Sequence, residues 1–245
     1  MSQRSIERFK ALILILMAIF FAEKLVSGKL YFYIGPRFGW LSALAVALFI
    51  ILAGSYNMVG QQGTESEHEH HDHGHEKTSA WSLLIVSLPL ILGTLIPARP
   101  LGASAVSSRG IATDLAPEGE TSDRTLTIVP AERNILDWVR VISTSPDPAA
   151  LAGEEADVVG FVYRDARFAS DQFMVARFTI TCCVADATAI GLVVQSPEAS
   201  RYADDSWVRV KGTFAKGTLD GQPIPLIVAD EITPVQPPEQ PYLYP

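Results

Sequence analysis

The stretch LSALAVALFIILAGSYNMV (residues 41–59) decides the fold class, because it is apolar over the length of a membrane-spanning helix. At about 1.5 Å per residue it extends roughly 28 Å, close to the thickness of the hydrocarbon layer. Two further apolar runs accompany it, ALILILMAIFFA (11–22) and WSLLIVSLPLILGTLIP (81–97). These runs predict three transmembrane helices in a lipid bilayer, over about 11–27, 40–59 and 81–97.

Aromatic residues and a proline fit a membrane setting for these runs. Trp40 and Tyr56 lie at the two ends of the second run, where aromatic rings prefer the membrane interface. Pro89 interrupts the third run, and neighbouring helices in a membrane can satisfy the carbonyl that it frees. We therefore expect a multi-pass protein of the cell membrane. The first run resembles an uncleaved signal anchor, which favours a cytoplasmic N-terminus and an extracytoplasmic C-terminal domain.

The remainder of the chain predicts a soluble domain. Residues 1–97 form the predicted membrane domain, and 98–133 are small, polar and rich in Pro and Gly, as linkers are. The soluble domain, 134–245, begins with a short amphipathic helix over 134–144. A proline-rich tail follows residue 235, and we expect it to lie extended along the domain surface.

Within the soluble domain the hydrophobic period changes to that of strands. The alternation predicts five strands, at 156–165, 172–183, 189–196, 206–217 and 224–235. Gly160 and Gly212 fall where a coiled strand must bend. The sequence thus predicts a membrane α plus all-β protein whose C-terminal domain is an OB-like, five-stranded β-barrel over 153–235, with a β-sandwich as the alternative.

Charge and motif content exclude several functional classes. The net charge of −8 argues against a nucleic-acid partner, because binding to phosphates requires a basic surface. The sequence contains no glycine-rich phosphate loop, no Ser-His-Asp set and no metalloprotease helix. We therefore expect a protein that is not an enzyme and has no catalytic residues.

All five histidines of the chain fall in one short segment, EHEHHDHGHE (67–76). Imidazole is the commonest metal ligand in proteins, and carboxylates add oxygen ligands and negative charge. The segment therefore predicts binding of Zn²⁺ or a similar divalent transition metal, although a solvated polar loop is the alternative. The candidate ligands are His68, His70, His71, His73, His75, Glu67, Glu69 and Asp72.

The two cysteines, Cys182 and Cys183, are adjacent and form a second candidate metal site. Side chains of successive residues in a regular strand point to opposite faces, so both sulfurs could bind one ion only at a bulge. We expect at least one of the two to pack in the core, while the other could be a metal ligand or a redox-active thiol beside Asp186.

Several segments resemble the YcgQ-like bacterial family of two-component permease subunits. They are GKLYFYIGPRF after the first apolar run, IPARPLG (96–102), GFVYRD, VARFTITCCVADATAIGL, WVRVKGTF and the closing PYLY. The similarity covers nearly the whole chain, and the Arg-Phe…Cys-Cys-x-Ala-Asp-Ala block is distinctive. Members of this family are paired with a multi-span permease, so the resemblance implies an accessory subunit of a transporter.

Three functions remain open at this point. The first is an accessory subunit of a polytopic permease partner, handling a divalent metal such as zinc. The second is a membrane-anchored metal chaperone or thiol-redox protein that uses the cysteine pair. The third is a membrane-anchored protein-interaction or assembly factor.

Overall fold

The computed structural model describes residues 3–62, 80–111, 129–144 and 147–245. The chain divides into two compact units, Met1–Arg99 and Pro100–Pro245. Each unit has its own network of internal contacts.

The N-terminal unit consists of three helices: α1 (Gln3–Val26), α2 (Gly39–Gln62) and α3 (Ala80–Leu95). Phe21 of α1 stacks on Phe49 of α2, with ring centroids 6.0 Å apart. A Cβ atom at Gly93 of α3 would lie 2.6 Å from the ring of Phe20. The missing side chain at Gly93 therefore leaves room for the ring of Phe20 in its present position.

Among the described residues, one helical segment is long and apolar enough to cross a membrane, Pro36–Tyr56, which includes most of α2. The prediction of three transmembrane helices is therefore wrong, and the expectation of a multi-pass protein loses its basis. In α1 the charge-free run 11–22 lies between Lys10 and Glu23 and extends only roughly 18 Å. The 16 residues of α3 extend roughly 24 Å, short of a hydrocarbon layer of about 30 Å.

The C-terminal unit combines two helices with a sheet. The helices are α4 (Ala103–Arg109) and α5 (Ile135–Thr144). The strands are β1 (Glu155–Tyr163), β2 (Gln172–Thr179), β3 (Thr188–Gln195), β4 (Trp207–Leu219), β5 (Gln222–Pro234) and β6 (Tyr242–Leu243). Five of them lie close to the ranges that the alternation predicts, and α4 forms within the range assigned to the linker. Residues 112–128 of that linker lie outside the described residues.

The described strands form one six-stranded sheet in the order β1-β4-β5-β3-β2-β6, and β1 also pairs with β2. The β1–β2, β1–β4, β2–β3 and β4–β5 pairs are antiparallel, whereas β3–β5 and β2–β6 are parallel. The prediction of a five-stranded OB-like β-barrel is corrected accordingly to a six-stranded sheet. The sixth strand comes from the tail that we expected to lie extended on the surface.

Two features of the β4–β5 pair follow directly from the sequence. Asp220 and Gly221 both have positive φ, 52° and 76°, as a two-residue hairpin turn of Asp-Gly type requires. The register shifts at Lys211/Gly212, where a Cβ atom on Gly212 would lie 2.1 Å from the carbonyl oxygen of Val228. The backbones therefore approach at a distance that only glycine permits.

The core of the C-terminal unit forms on both sides of the sheet. On one side α5 buries Trp138, whose ring centroid lies 4.6 Å from that of Phe214. On the other side Phe161 stacks on Phe178 at 5.7 Å, and the buried Val106 of α4 packs in the same cluster. These contacts fix the strands from which the β2–β3 loop emerges.

The C-terminal residues are built into this unit. Tyr242 and Leu243 pair in parallel with Phe178 and Thr179 of β2. Tyr242 is 2% exposed, and its hydroxyl accepts a hydrogen bond of 2.9 Å from the backbone N–H of Leu101. The first and last segments of the unit therefore meet at Tyr242.

Candidate metal centre

The loop between β2 and β3 carries both cysteines. It leaves the core after Ile180, which is 1% exposed, and returns to it at Ala187. The carboxylate of Asp186 accepts hydrogen bonds from the backbone N–H groups of Thr181 (3.1 Å) and Cys182 (2.8 Å). A 3-10 turn over Val184–Asp186 closes the loop. A short side chain that binds nearby backbone donors in this way stabilises a turn rather than a strand.

The structure places both sulfur atoms together. β2 ends at Thr179, so the alternation of side chains that would separate Cys182 from Cys183 does not reach them. Their Sγ atoms lie 3.6 Å apart. Cys182 is exposed and Cys183 is half-buried, so the expectation that one of them packs in the core is wrong.

Asp186 completes a set of three possible ligands. One ligand atom from each of Cys182, Cys183 and Asp186 lies within 4.8 Å of the other two. Among the described residues this is the one group of three or more His, Cys, Asp or Glu side chains so arranged. In the sequence Asp186 lies close to the thiols, but it was not among the predicted ligands. The spacing Cys-Cys-x-x-Asp, with a turn in between, was the available signal.

The charge of Asp186 controls the protonation of the neighbouring thiol. Its hydrogen bond with Cys182 raises the pKa of that thiol to about 11, and contact with Cys183 adds to the effect. Burial would raise the pKa of Asp186, but the hydrogen bonds that it accepts from Cys182 and Thr181 outweigh burial and lower it. Cys182 without a metal is therefore a thiol at neutral pH. Redox-active cysteines have the opposite character, a lowered pKa in a positively charged environment.

A neighbouring arginine holds the loop from its outer side. Arg109, at the end of α4, donates from Nη1 to the carbonyl oxygens of Val184 (2.8 Å) and Ala187 (3.2 Å). Two residues later, Ile111 forms a parallel bridge with Ala189 of β3. Sequence reasoning missed Arg109, because no local pattern connects it to a loop more than seventy residues later.

The other predicted metal ligands, Glu67, Glu69, Asp72 and the five histidines between residues 68 and 75, lie outside the described residues. Their role in metal binding stays a prediction. The N-terminal unit does contain a cavity of about 530 Å³, lined mainly by apolar side chains such as Phe20, Leu30 and Ile96. The described residues that line it include no carboxylate, thiol or imidazole.

Comparison with known proteins defines the family. Residues 9–112 match the DUF1980 N-terminal domain and residues 107–245 match the DUF1980 C-terminal domain. The chain therefore belongs to the DUF1980 family. The UPF0703 protein YcgQ of Bacillus subtilis is 25% identical over 286 residues, covering 96% of this chain and 99% of that protein. The resemblance to YcgQ-like proteins is thus confirmed.

A second relative carries a functional name. A protein of Streptococcus mutans named "Putative two-component membrane permease complex subunit" is 24% identical to this chain over 258 residues. The alignment covers 89% of this chain and 92% of that protein. Both units of the chain therefore have counterparts in these relatives.

Proposed function

We propose that this protein is a non-catalytic accessory subunit of a two-component membrane permease complex, located in the cell membrane. The similarity to the Streptococcus mutans relative supports this role, because the alignment includes most of both chains. The observation that carries the proposal is the helical segment Pro36–Tyr56, whose length and composition suit a bilayer. It presents apolar side chains to the surroundings, among them Trp40, Leu44 and Leu48.

The same segment explains why a partner is needed. Ions cross membranes along polar or charged side chains, and between Trp40 and Tyr56 the sequence has no ionisable side chain other than Tyr56 itself. One apolar helix anchors a protein but offers no path for an ion. A polytopic permease supplies that path, and this chain acts beside it. A cytoplasmic N-terminus then places the residues that follow the segment on the extracytoplasmic side.

We further propose that the complex handles a divalent transition metal such as zinc. The cluster of Cys182, Cys183 and Asp186 supports this finer assignment, because thiolate and carboxylate groups are zinc ligands. A membrane-anchored metal chaperone is the second candidate, since it would use the same exposed ligands. The raised pKa of Cys182 makes that thiol a poor redox nucleophile at neutral pH, which disfavours the thiol-redox alternative for Cys182.

Purification of the full-length chain from its native membrane tests this proposal. We expect an affinity-tagged chain, solubilised in mild detergent, to retain one polytopic membrane protein at a constant ratio, identified by mass spectrometry. The Leu48→Arg variant, which weakens the anchor, should lose that partner, whereas Leu48→Ala should keep it. Recovery of the wild-type chain without a polytopic protein, even after cross-linking in intact membranes, would favour the chaperone.

A further inference from the structure

We propose that Cys182, Cys183 and Asp186 bind one thiophilic divalent cation, of which Zn²⁺ is representative, and that its fourth coordination position stays open for exchange. This inference rests on the proposed function only in making the ion the cargo of the complex. The binding site itself follows from the geometry of the β2–β3 loop.

The distance between the sulfur atoms is the main argument. Two thiolates on a tetrahedral zinc ion, with Zn–S bonds of about 2.3 Å, lie about 3.8 Å apart. The two Sγ atoms of Cys182 and Cys183 lie 3.6 Å apart before any ion is bound. The third ligand atom, from Asp186, lies within 4.8 Å of both sulfurs, and a bound zinc would require about 3.5 Å. An ion therefore needs only a small contraction of the loop.

The loop is held in this arrangement by contacts that leave the ligands available. The backbone N–H groups of Thr181 and Cys182 orient the carboxylate of Asp186, one at each of its oxygens. Arg109 fixes the carbonyl oxygens of Val184 and Ala187 on either side of Asp186. Arg109 is a positioning residue in this scheme, because it binds the backbone and not the ion.

A divalent cation matches the negative charge that the cluster carries once both thiols have lost their protons. Two thiolates and a carboxylate would place three negative charges within a few ångströms, which is unfavourable without a positive ion between them. Binding of M²⁺ replaces two S–H bonds by two M–S bonds, releases two protons to solvent and leaves one net negative charge.

Three ligands from the described part of the chain and an exposed position distinguish this site from a structural zinc site. Structural zinc is usually enclosed by four protein ligands, whereas three ligands leave a position for water or an incoming group. Cys182 and Asp186 are exposed and Cys183 is half-buried, so an ion can enter and leave without unfolding the unit. Such a site suits an ion that is received and passed on.

Cobalt spectroscopy of the reduced full-length chain in detergent tests the site. Co²⁺ bound to thiolates gives charge-transfer absorption in the near ultraviolet, which imidazole and carboxylate ligands do not give. We expect this absorption to saturate at one Co²⁺ per chain and to disappear when Zn²⁺ is added. A variant lacking residues 67–76 should retain it. Cys182→Ser and Cys183→Ser should each halve it, and the double variant should abolish it.

The third ligand is tested separately. Asp186→Asn keeps one hydrogen-bonding oxygen for the loop and should weaken Zn²⁺ binding by at least about 10–100-fold, the loss typical when a residue behind a metal ligand is replaced. Glu198→Gln removes a carboxylate that pairs with Arg201 outside the cluster and should leave the affinity unchanged. If Asp186→Asn disturbs folding, Cys182→Ser tests the site in its place, because its side chain is exposed; Zn²⁺ affinity equal to that of the wild type then overturns the site.

The site proposal is overturned if the wild-type chain gives no thiolate–cobalt absorption, or if Asp186→Asn binds Zn²⁺ as tightly as the wild type. Its failure is distinguishable from that of the proposed function. A chain that retains its polytopic partner but lacks the absorption refutes the site alone. A chain that shows the absorption without any partner refutes the permease role alone.

Discussion

Replacement of Tyr242 tests whether β6 belongs to the core of the C-terminal unit. The side chain is 2% exposed, and its hydroxyl accepts the hydrogen bond from the Leu101 N–H. Tyr242→Ala removes a buried ring, which costs about 3–5 kcal/mol for aromatic residues. Tyr242→Phe keeps the ring and leaves the Leu101 N–H without this partner, at a cost of about 1–2 kcal/mol. Comparing the decrease in the free energy of unfolding for the two variants separates the contribution of packing from that of the hydrogen bond.

Hydrogen–deuterium exchange of the full-length chain in detergent is the suitable measurement. The most protected amides of β2 and β3 exchange through opening of the C-terminal unit, so their rates report its stability without interference from the N-terminal helices. A loss of about 3 kcal/mol accelerates this exchange more than 100-fold, and a loss of about 1 kcal/mol roughly fivefold.

A control and a refuting result complete the experiment. Tyr163→Phe should change the exchange of β2 and β3 less than threefold, because Asp165, which accepts from the Tyr163 hydroxyl, is also bound by Arg167. The Leu101 amide should exchange faster in Tyr242→Phe than in the wild type. If the amide exchange rates of β2 and β3 in Tyr242→Ala stay within threefold of those of the wild type, β6 does not contribute to the core.

Three further predictions concern other parts of the chain. Gly212→Ala should destabilise the C-terminal unit by about 1–3 kcal/mol in the same exchange measurement, because its Cβ would meet the rigid backbone of Val228. As a control, Lys211→Ala at the neighbouring, exposed position should cost less than about 1 kcal/mol. Leu48→Arg should raise the free energy of membrane insertion by about 3–4 kcal/mol and move the chain into the soluble fraction on carbonate extraction, unlike Leu48→Ala. Alkylation of Cys182 by iodoacetamide in the reduced, metal-free chain should rise about tenfold per pH unit towards its pKa of about 11, and Asp186→Asn should speed it near pH 8.

Each of these three predictions would be contradicted by a specific result. Wild-type exchange in Gly212→Ala would mean that β4 and β5 are not closely apposed at the register shift. Retention of Leu48→Arg in the membrane pellet would mean that α2 is not the anchor. A Cys182 alkylation rate that levels off below pH 9 would mean that Asp186 does not hold the thiol proton.

The strands of the C-terminal unit were predictable from the sequence because alternating side chains report directly on burial. The closing strand was not, because Pro241 and Pro245 enclose Tyr242 and Leu243, and prolines argue against strands. Two proline-free residues are nevertheless enough for a parallel bridge to β2. The pairing depends on a buried tyrosine ring, which periodicity does not reveal.

The predictions of the membrane spans and of the metal ligands were inaccurate for different reasons. Apolar content alone suggested three spans, but the flanking charges Lys10 and Glu23 shorten the usable run of α1. The alternation of side chains predicted that β2 continues to residue 183. In the structure β2 ends at Thr179, and the hydrogen bonds to Asp186 form a turn that brings the two sulfur atoms together. Only a three-dimensional arrangement could add Asp186 and Arg109 to the site.

The junction between Leu101 and Tyr242 also bears on the order in which the C-terminal unit assembles. Their contact spans 141 positions of the chain, and closing a flexible loop of that length costs on the order of 4 kcal/mol in entropy. The antiparallel hairpins, which join near neighbours, form without that penalty and shorten the remaining loop. The Leu101–Tyr242 contact is therefore expected to form after the transition state, so that weakening it accelerates unfolding while refolding proceeds at nearly its original rate.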